Sequence, residues 1–263
     1  MKDKLPSTSR KRSILHIVLS VIVLLVLVAR FLRADYHSVF LCLLTLLLFN
    51  IPQFANKFFK VTLPRELEVV ILLFIFAAEI LGEIGNFYNQ ITWWDTMLHT
   101  INGFLMAAIG FALIDILNNS PKFHINLSPV FVAVVAFCIS MTIGVFWEFF
   151  EFGMDMLTGT DMQKDRFITS LASVTLNPDG LNDPVAFSQI TSTDLHFQNG
   201  KELCTISGGY LDIGIIDTMK DLIVNCIGAT VFSTIGYFYL IGRNKGVFAS
   251  KFIPQYDIDP NEQ

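Results

Sequence analysis

The sequence predicts an all-α polytopic membrane helix bundle of about six transmembrane helices, with a small β-rich extracytoplasmic insertion. Three observations lead there. The 263 residues are 53% hydrophobic and only 16% charged, with Phe at 25 positions, a balance typical of multi-pass membrane chains. Six apolar stretches approach the roughly 20 residues that an α-helix needs to cross hydrocarbon. Between the last two of them the composition switches to short Thr, Ser and Val runs punctuated by turn residues.

The six stretches are Ile14 to Phe31, His37 to Phe54, Leu67 to Asn86, Trp94 to Leu117, Pro129 to Phe152 and Met219 to Ile241. They divide the chain into helices one to five (1–152), the insertion (153–218), the sixth helix (219–242) and a tail (243–263). A basic start followed by an apolar run also describes a signal peptide. This run ends in Arg30, Phe31, Leu32 and Arg33 with no small-x-small site after it, so a retained helix is expected.

Lys and Arg placement sets the expected orientation. With the amino terminus inside, Lys2, Lys4, Arg10, Lys11, Arg12, Lys57, Lys60, Arg65, Lys122, Arg243, Lys245 and Lys251 are cytoplasmic, and Arg30, Arg33, Lys164, Arg166 and Lys201 are outside. Both termini are then cytoplasmic. The net charge of −5 is segregated by side, and no exposed basic patch points to nucleic acid. Membrane lipids are the expected partners. Cys42, Cys138 and Cys226 fall within spans as small apolar fillers, and Cys204 sits alone in the insertion, so no disulfide framework is expected.

Within the insertion, Asn177, Pro178, Asp179 and Gly180 read as one turn and Gln198, Asn199 and Gly200 as another. Leu195 to Phe197 and Leu203 to Thr205 flank the second as a hairpin. Phe167 to Leu176 and Val185 to Ile190 are further candidates, giving a cap of three to five strands. A solvated, decorative loop is the plainer alternative, but β-branched and apolar residues are too frequent for solvated disorder.

The crossing stretches carry polar stripes at helical spacing, all toward the outer end. The third has Glu79, Gly82, Glu83 and Asn86; Glu79 lies about 10 Å below the outer end at 1.5 Å per residue. The fourth has Asp95, His99, Asn102 and Gly103, where the carboxylate can fix the imidazole tautomer. Glu148, Glu151 and Asp155 share a face of the fifth, beside an aromatic belt of Trp147 and four Phe residues. The sixth has Asp217, Asp221, Asn225 and Gly228, with Lys220 placed to snorkel or to neutralise an acid. Ionisable groups in hydrocarbon cost about 2.5 to 3.5 kcal/mol each on insertion scales and mark functional interiors. The plainer reading is a polar network that holds the helices together.

The segments WWDTMLHTINGF, GVFWEFFEFGMDMLTGTDMQ and GGYLDIGIIDTMKDLIVNCIGA resemble the bacterial inner-membrane family that includes YjdF. More distantly, the order of Asp and His, then Glu, then Asp and Asn before Gly-Ala is similar to the VanZ-like membrane proteins linked to teicoplanin resistance. The likeness covers Trp93 to Ala229. It implies a multi-pass protein of the bacterial cell membrane and singles out Asp95, His99, Glu148, Glu151, Asp155, Asp217, Asp221 and Asn225. Glu151 stands where the VanZ-like pattern often has Gln, and the insertion separates the last two motifs.

The leading expectation is an outward-facing intramembrane enzyme, a hydrolase or transferase acting on a lipid or envelope-linked substrate. His99, oriented by Asp95, is the base or metal ligand; Glu148 or Glu151 is the acid; Asp221 and Asp217 complete a proton-transfer or divalent-metal cluster. Glu79, Glu83, Asn102, Asp155, Asp217 and Asn225 line the cavity. The cofactor is left open, with a divalent metal on His99, Glu148 and Asp221 as the candidate. The other classes are a cation- or proton-coupled transporter and an envelope binding or assembly protein. The chain shows no nucleophile elbow, no His-Glu-x-x-His helix and no Arg cluster for phosphate.

Overall fold

The computed structural model describes residues 14–54, 61–118, 126–198, 205–242 and 255–256. The elements in chain order are α1 (Ile14–Leu32), α2 (Tyr36–Leu48), β1 (Val61–Thr62), α3 (Arg65–Ile75), a π-helix (Phe76–Ile84), α4 (Phe87–Gln90), α5 (Trp94–Asn118) and α6 (Pro129–Thr158). They continue with β2 (Phe167–Ile168), β3 (Leu171–Ser173), β4 (Val185–Phe187), β5 (Ser192–Asp194), β6 (Thr205–Ser207), β7 (Tyr210–Leu211), α7 (Ile215–Ile241) and β8 (Gln255–Tyr256). Five helical segments have the length and apolarity to cross a membrane: Ile14–Leu32, Tyr36–Phe54, Trp94–Asp115, Pro129–Thr158 and Ile215–Ile241.

The third expected crossing, Leu67 to Asn86, departs from a regular α-helix. It starts as α3 and passes into nine residues of π-helix, where the wider i→i+5 bonding shifts side chains off the α-helical stripe. Gly85 N–H closes such a bond to Ile80 O at 2.8 Å. Asn86 then takes a left-handed φ of 60° and turns the chain into α4. As a result Gly82 is buried, Glu79 is half-buried and Glu83 is exposed.

The chain forms two compact units. The first comprises Met1–Gly144 with Val224–Gln263, the second Val145–Ile223. In the first, α1 packs on α2 and α2 on the π-helix. The turn between α1 and α2 is fixed by Asp35, which accepts from Ser38 N (3.2 Å), Ser38 Oγ (2.7 Å) and Arg30 Nη1 (3.3 Å). The Ser38 bonds above all hold the Asp35 carboxyl below its ordinary range, helped by the Arg30 charge. Arg30 also donates to Ile84 O at 3.3 Å, tying this turn to the end of the π-helix.

Phe49, Leu67, Leu72, Leu105, Phe111 and Phe232 are among the fully buried side chains of the first unit. Phe232 on α7 meets Phe104 and Phe111 on α5 edge to face, with ring centroids 5.0 and 6.0 Å apart. Between helices in lipid such contacts act through packing rather than through water exclusion. β1 and β8 pair antiparallel, Val61 opposite Tyr256.

The second unit contains six short strands in three antiparallel pairs: β2 with β7, β3 with β4, β5 with β6. The β-rich insertion is therefore present, with one strand more than expected and no sheet wider than two strands. The hairpin lies farther from its turn than the sequence suggested. Ser192 pairs with Ser207 and Asp194 with Thr205, so Leu195 to Phe197 fall in the connection. Asn199, Gly200, Leu203 and Cys204 lie outside the described residues. Cys42, Cys138 and Cys226 are free thiols.

Candidate functional site

In the first unit the polar residues of α5, α6 and α7 converge. Ser140 Oγ donates to Gly103 O at 2.8 Å. Asn225, 1% exposed, accepts from Asn102 Nδ2 at 3.2 Å and donates to Ser140 O and to Met141 Sδ, both at 3.5 Å. Small residues make this approach feasible: a Cβ on Gly103 would lie 2.1 Å from Asn225 O, and one on Gly228 would lie 2.0 Å from Thr100 O. Asn102 and Asn225, expected to line a cavity, are thus engaged in interhelical bonding.

One turn toward the start of α5, His99 Nε2 stands 3.4 Å from Asp95 Oδ1, with both side chains largely buried. The i, i+4 spacing on one helix places them together, where the carboxylate can orient the ring. Of the pairings inferred from spacing, this one is directly seen.

The second unit has an unusual interior. Apart from glycines, its buried side chains among the described residues are Glu148, Glu151, Asp212, Asp217 and Asp221, with no apolar residue among them. Buried carboxylates need donors or cations, and several stand beside them. Asp217 accepts from Arg166 Nη2 at 2.7 Å. Lys220 Nζ lies 3.7 Å from Asp217 Oδ1 and 3.7 Å from Asp221 Oδ1. Glu151 Oε1 accepts from Trp147 Nε1 one turn back on α6, at 2.8 Å.

Asp212 is bound by main chain: Oδ1 accepts from Arg166 N at 2.7 Å and Gly214 N at 3.2 Å, and Oδ2 from Ile216 N at 2.9 Å. It thereby caps the start of α7 and fastens it to Arg166, just ahead of β2, whose carbonyl accepts from Asp212 N. Burial raises the Asp212 carboxyl, but the three amides outweigh it and hold the group below its ordinary range. Asp155 does similar work in the last turn of α6, accepting from Thr160 Oγ1 (2.9 Å), Met162 N (2.7 Å) and Gln163 N (2.8 Å). Expected in the cavity, it folds the chain back on itself. Beside them Asp165 is pushed up, first by burial and then by the charges of Asp161, Asp212 and Asp155.

Sequence reasoning passed over Asp212, Arg166 and Ser140. A helix-start rule could have found Asp212, an Asp just ahead of an apolar helical run. Nothing local marks Arg166, whose partner Asp217 is 51 positions away.

Residues 14–242 match the family described as "Predicted membrane protein (DUF2238)". The chain belongs to that family. It is a multi-pass membrane protein with about five candidate spans. It is also similar to an uncharacterised protein of Thermotoga maritima, 26% identical over 106 residues. That match covers 40% of this chain and 53% of the relative's length. No solved structure matches the chain.

Proposed function

We propose that this DUF2238 member is an intramembrane enzyme, a hydrolase or transferase acting on a lipid or envelope-linked substrate. The observation that carries the reading is the carboxylate interior of the second unit. Asp212 is engaged by main-chain amides and Asp217 by Arg166, which are structural tasks. Glu148, Glu151 and Asp221, buried on α6 and α7, are the groups to which we assign proton transfer or a divalent cation. In the first unit the Asp95 and His99 pair supplies the base. A bacterial cell membrane with both termini cytoplasmic is the proposed setting, in line with the resemblance to YjdF-like and VanZ-like proteins.

A second reading, cation- or proton-coupled transport, is favoured by the π-helix that carries Glu79 and Glu83, because interrupted helices with acidic residues serve ion pathways. One experiment separates the readings. Wild type, Glu148→Gln and His99→Ala are reconstituted with envelope lipid extract, and lipid products, bound metal and thermal stability are measured together. The enzyme reading expects products from wild type only, with all three proteins folded. Were Glu148→Gln more stable than wild type, with no metal and no lipid products from either, the carboxylates would be a structural network.

A further inference from the structure

We propose that Met156, Leu157 and Ile213 form a lipid-contacting edge through which the second unit rests in the headgroup layer of the bilayer. Ile213 is the key residue. Its φ of 54° lies in the left-handed region, which a β-branched side chain adopts only under constraint. The constraint is visible: the preceding Asp212 accepts from the amides of Gly214 and Ile216, both beyond the turn, and from that of Arg166. The result is an isoleucine 80% exposed. Glycine or asparagine suits such a turn in water, so both the strain and the exposure point to an apolar surrounding outside the chain.

Met156 and Leu157, 70% and 87% exposed, close α6 in the same unit. They cannot be covered from within, because among the described residues this unit buries no apolar side chain. The surrounding is lipid rather than protein because the edge continues the exposed apolar faces of two candidate spans. α6 exposes Phe149 and Phe152 just before it, and α7 exposes Ile215 just after Ile213. Length agrees: the 30 residues of α6 span about 45 Å, against a hydrocarbon core of about 30 Å. Helix ends therefore reach the headgroup layers, where apolar side chains anchor a protein to the interface.

The full chain is tested in lipid nanodiscs. Its cysteines are first replaced by Ser or Ala, and single cysteines at residues 157, 213 and 181 carry an environment-sensitive fluorophore. Leu181, also exposed but in the turn between β3 and β4, is the comparison. Labels at 157 and 213 are expected to emit to the blue and to be quenched several-fold more by headgroup-level nitroxide lipid than the label at 181. In parallel, unmodified protein is photolabelled with a diazirine lipid, and peptides containing Met156, Leu157 and Ile213 are expected to carry the adducts. Quenching by aqueous iodide at 213 equal to that at 181, without lipid adducts, overturns the proposal. Blue emission that depends on protein concentration and resists lipid quenching also overturns it, in favour of a second copy of the chain.

Discussion

Gly228 on α7 lies so close to Thr100 on α5 that a Cβ at position 228 would sit 2.0 Å from the Thr100 carbonyl oxygen. Backbone cannot give way as a side chain can, so Gly228→Ala must part the helices. Overpacking of this kind costs about 1 to 3 kcal/mol or more. Gly236→Ala, whose Cβ would first meet the Phe111 ring at 2.6 Å, should lose less because the ring can turn. Melting temperatures in one detergent decide it, and equal losses would refute the backbone contact.

Asn102 and Asn225 should be coupled. Hydrogen bonds between membrane helices average about 0.6 kcal/mol in double-mutant cycles, with a maximum of about 1.7. Asn102→Ala, Asn225→Ala and the double variant should give a coupling in that range. Asn225→Ala alone should be the costlier single change, since it also loses the bonds to Ser140 and Met141. Additive losses would place the two side chains apart.

Arg166→Met should destabilise the second unit by about 1 to 3 kcal/mol, less than for a fully buried pair because the Arg166 side chain is 46% exposed. Adding Asp217→Asn should recover part of the loss, because the buried charge is then gone. Hydrogen exchange across β2 and β7 is the measurement. A double variant worse than Arg166→Met would contradict the assigned pairing.

Acid should loosen the start of α7. The Asp212 carboxyl is held below its ordinary value of 3.8, so its contribution is fully present above that value and is lost as pH falls through the lower folded value. Protection of the Arg166, Gly214 and Ile216 amides should accordingly be flat near neutrality and fall only below about pH 4. Asp212→Asn should lower protection at neutral pH and remove the acid step. An acid step that survives in Asp212→Asn would assign it to another group.

Topology is checked with reporter fusions. Fusions after Arg243 and within residues 188 to 200 should report opposite sides of the membrane, the first cytoplasmic. The count of crossings turns on α3 and the π-helix: if Arg65 to Ile84 crosses, a fusion at residue 57 and one at residue 90 should also differ. Matching signals at 57 and 90 would leave five crossings and put the termini on opposite sides.

Much of this molecule was legible in residue order. Apolar length alone locates five candidate spans, because a span must satisfy its backbone internally over a fixed thickness. The 3.6-residue period pairs Asp95 with His99, since both residues belong to one helix. Turn residues and β-branched runs mark the insertion, though not its registers: pairing depends on both strands, and β5 with β6 closes residues earlier than the Asn-Gly signal implied.

The tertiary structure decided what the polar residues do. Asn102 and Asn225 hold helices because Gly103 and Gly228 let the backbones meet, a fact about two helices that neither carries in its own sequence. Asp155 and Asp212 bind main-chain amides because the chain folds back over them. On the π-helix Glu79 is half-buried and Glu83 exposed, a difference that their spacing does not carry. A carboxylate reads the same in sequence whether it meets an amide, a guanidinium or a substrate; which one lies within about 3 Å is fixed only by the fold.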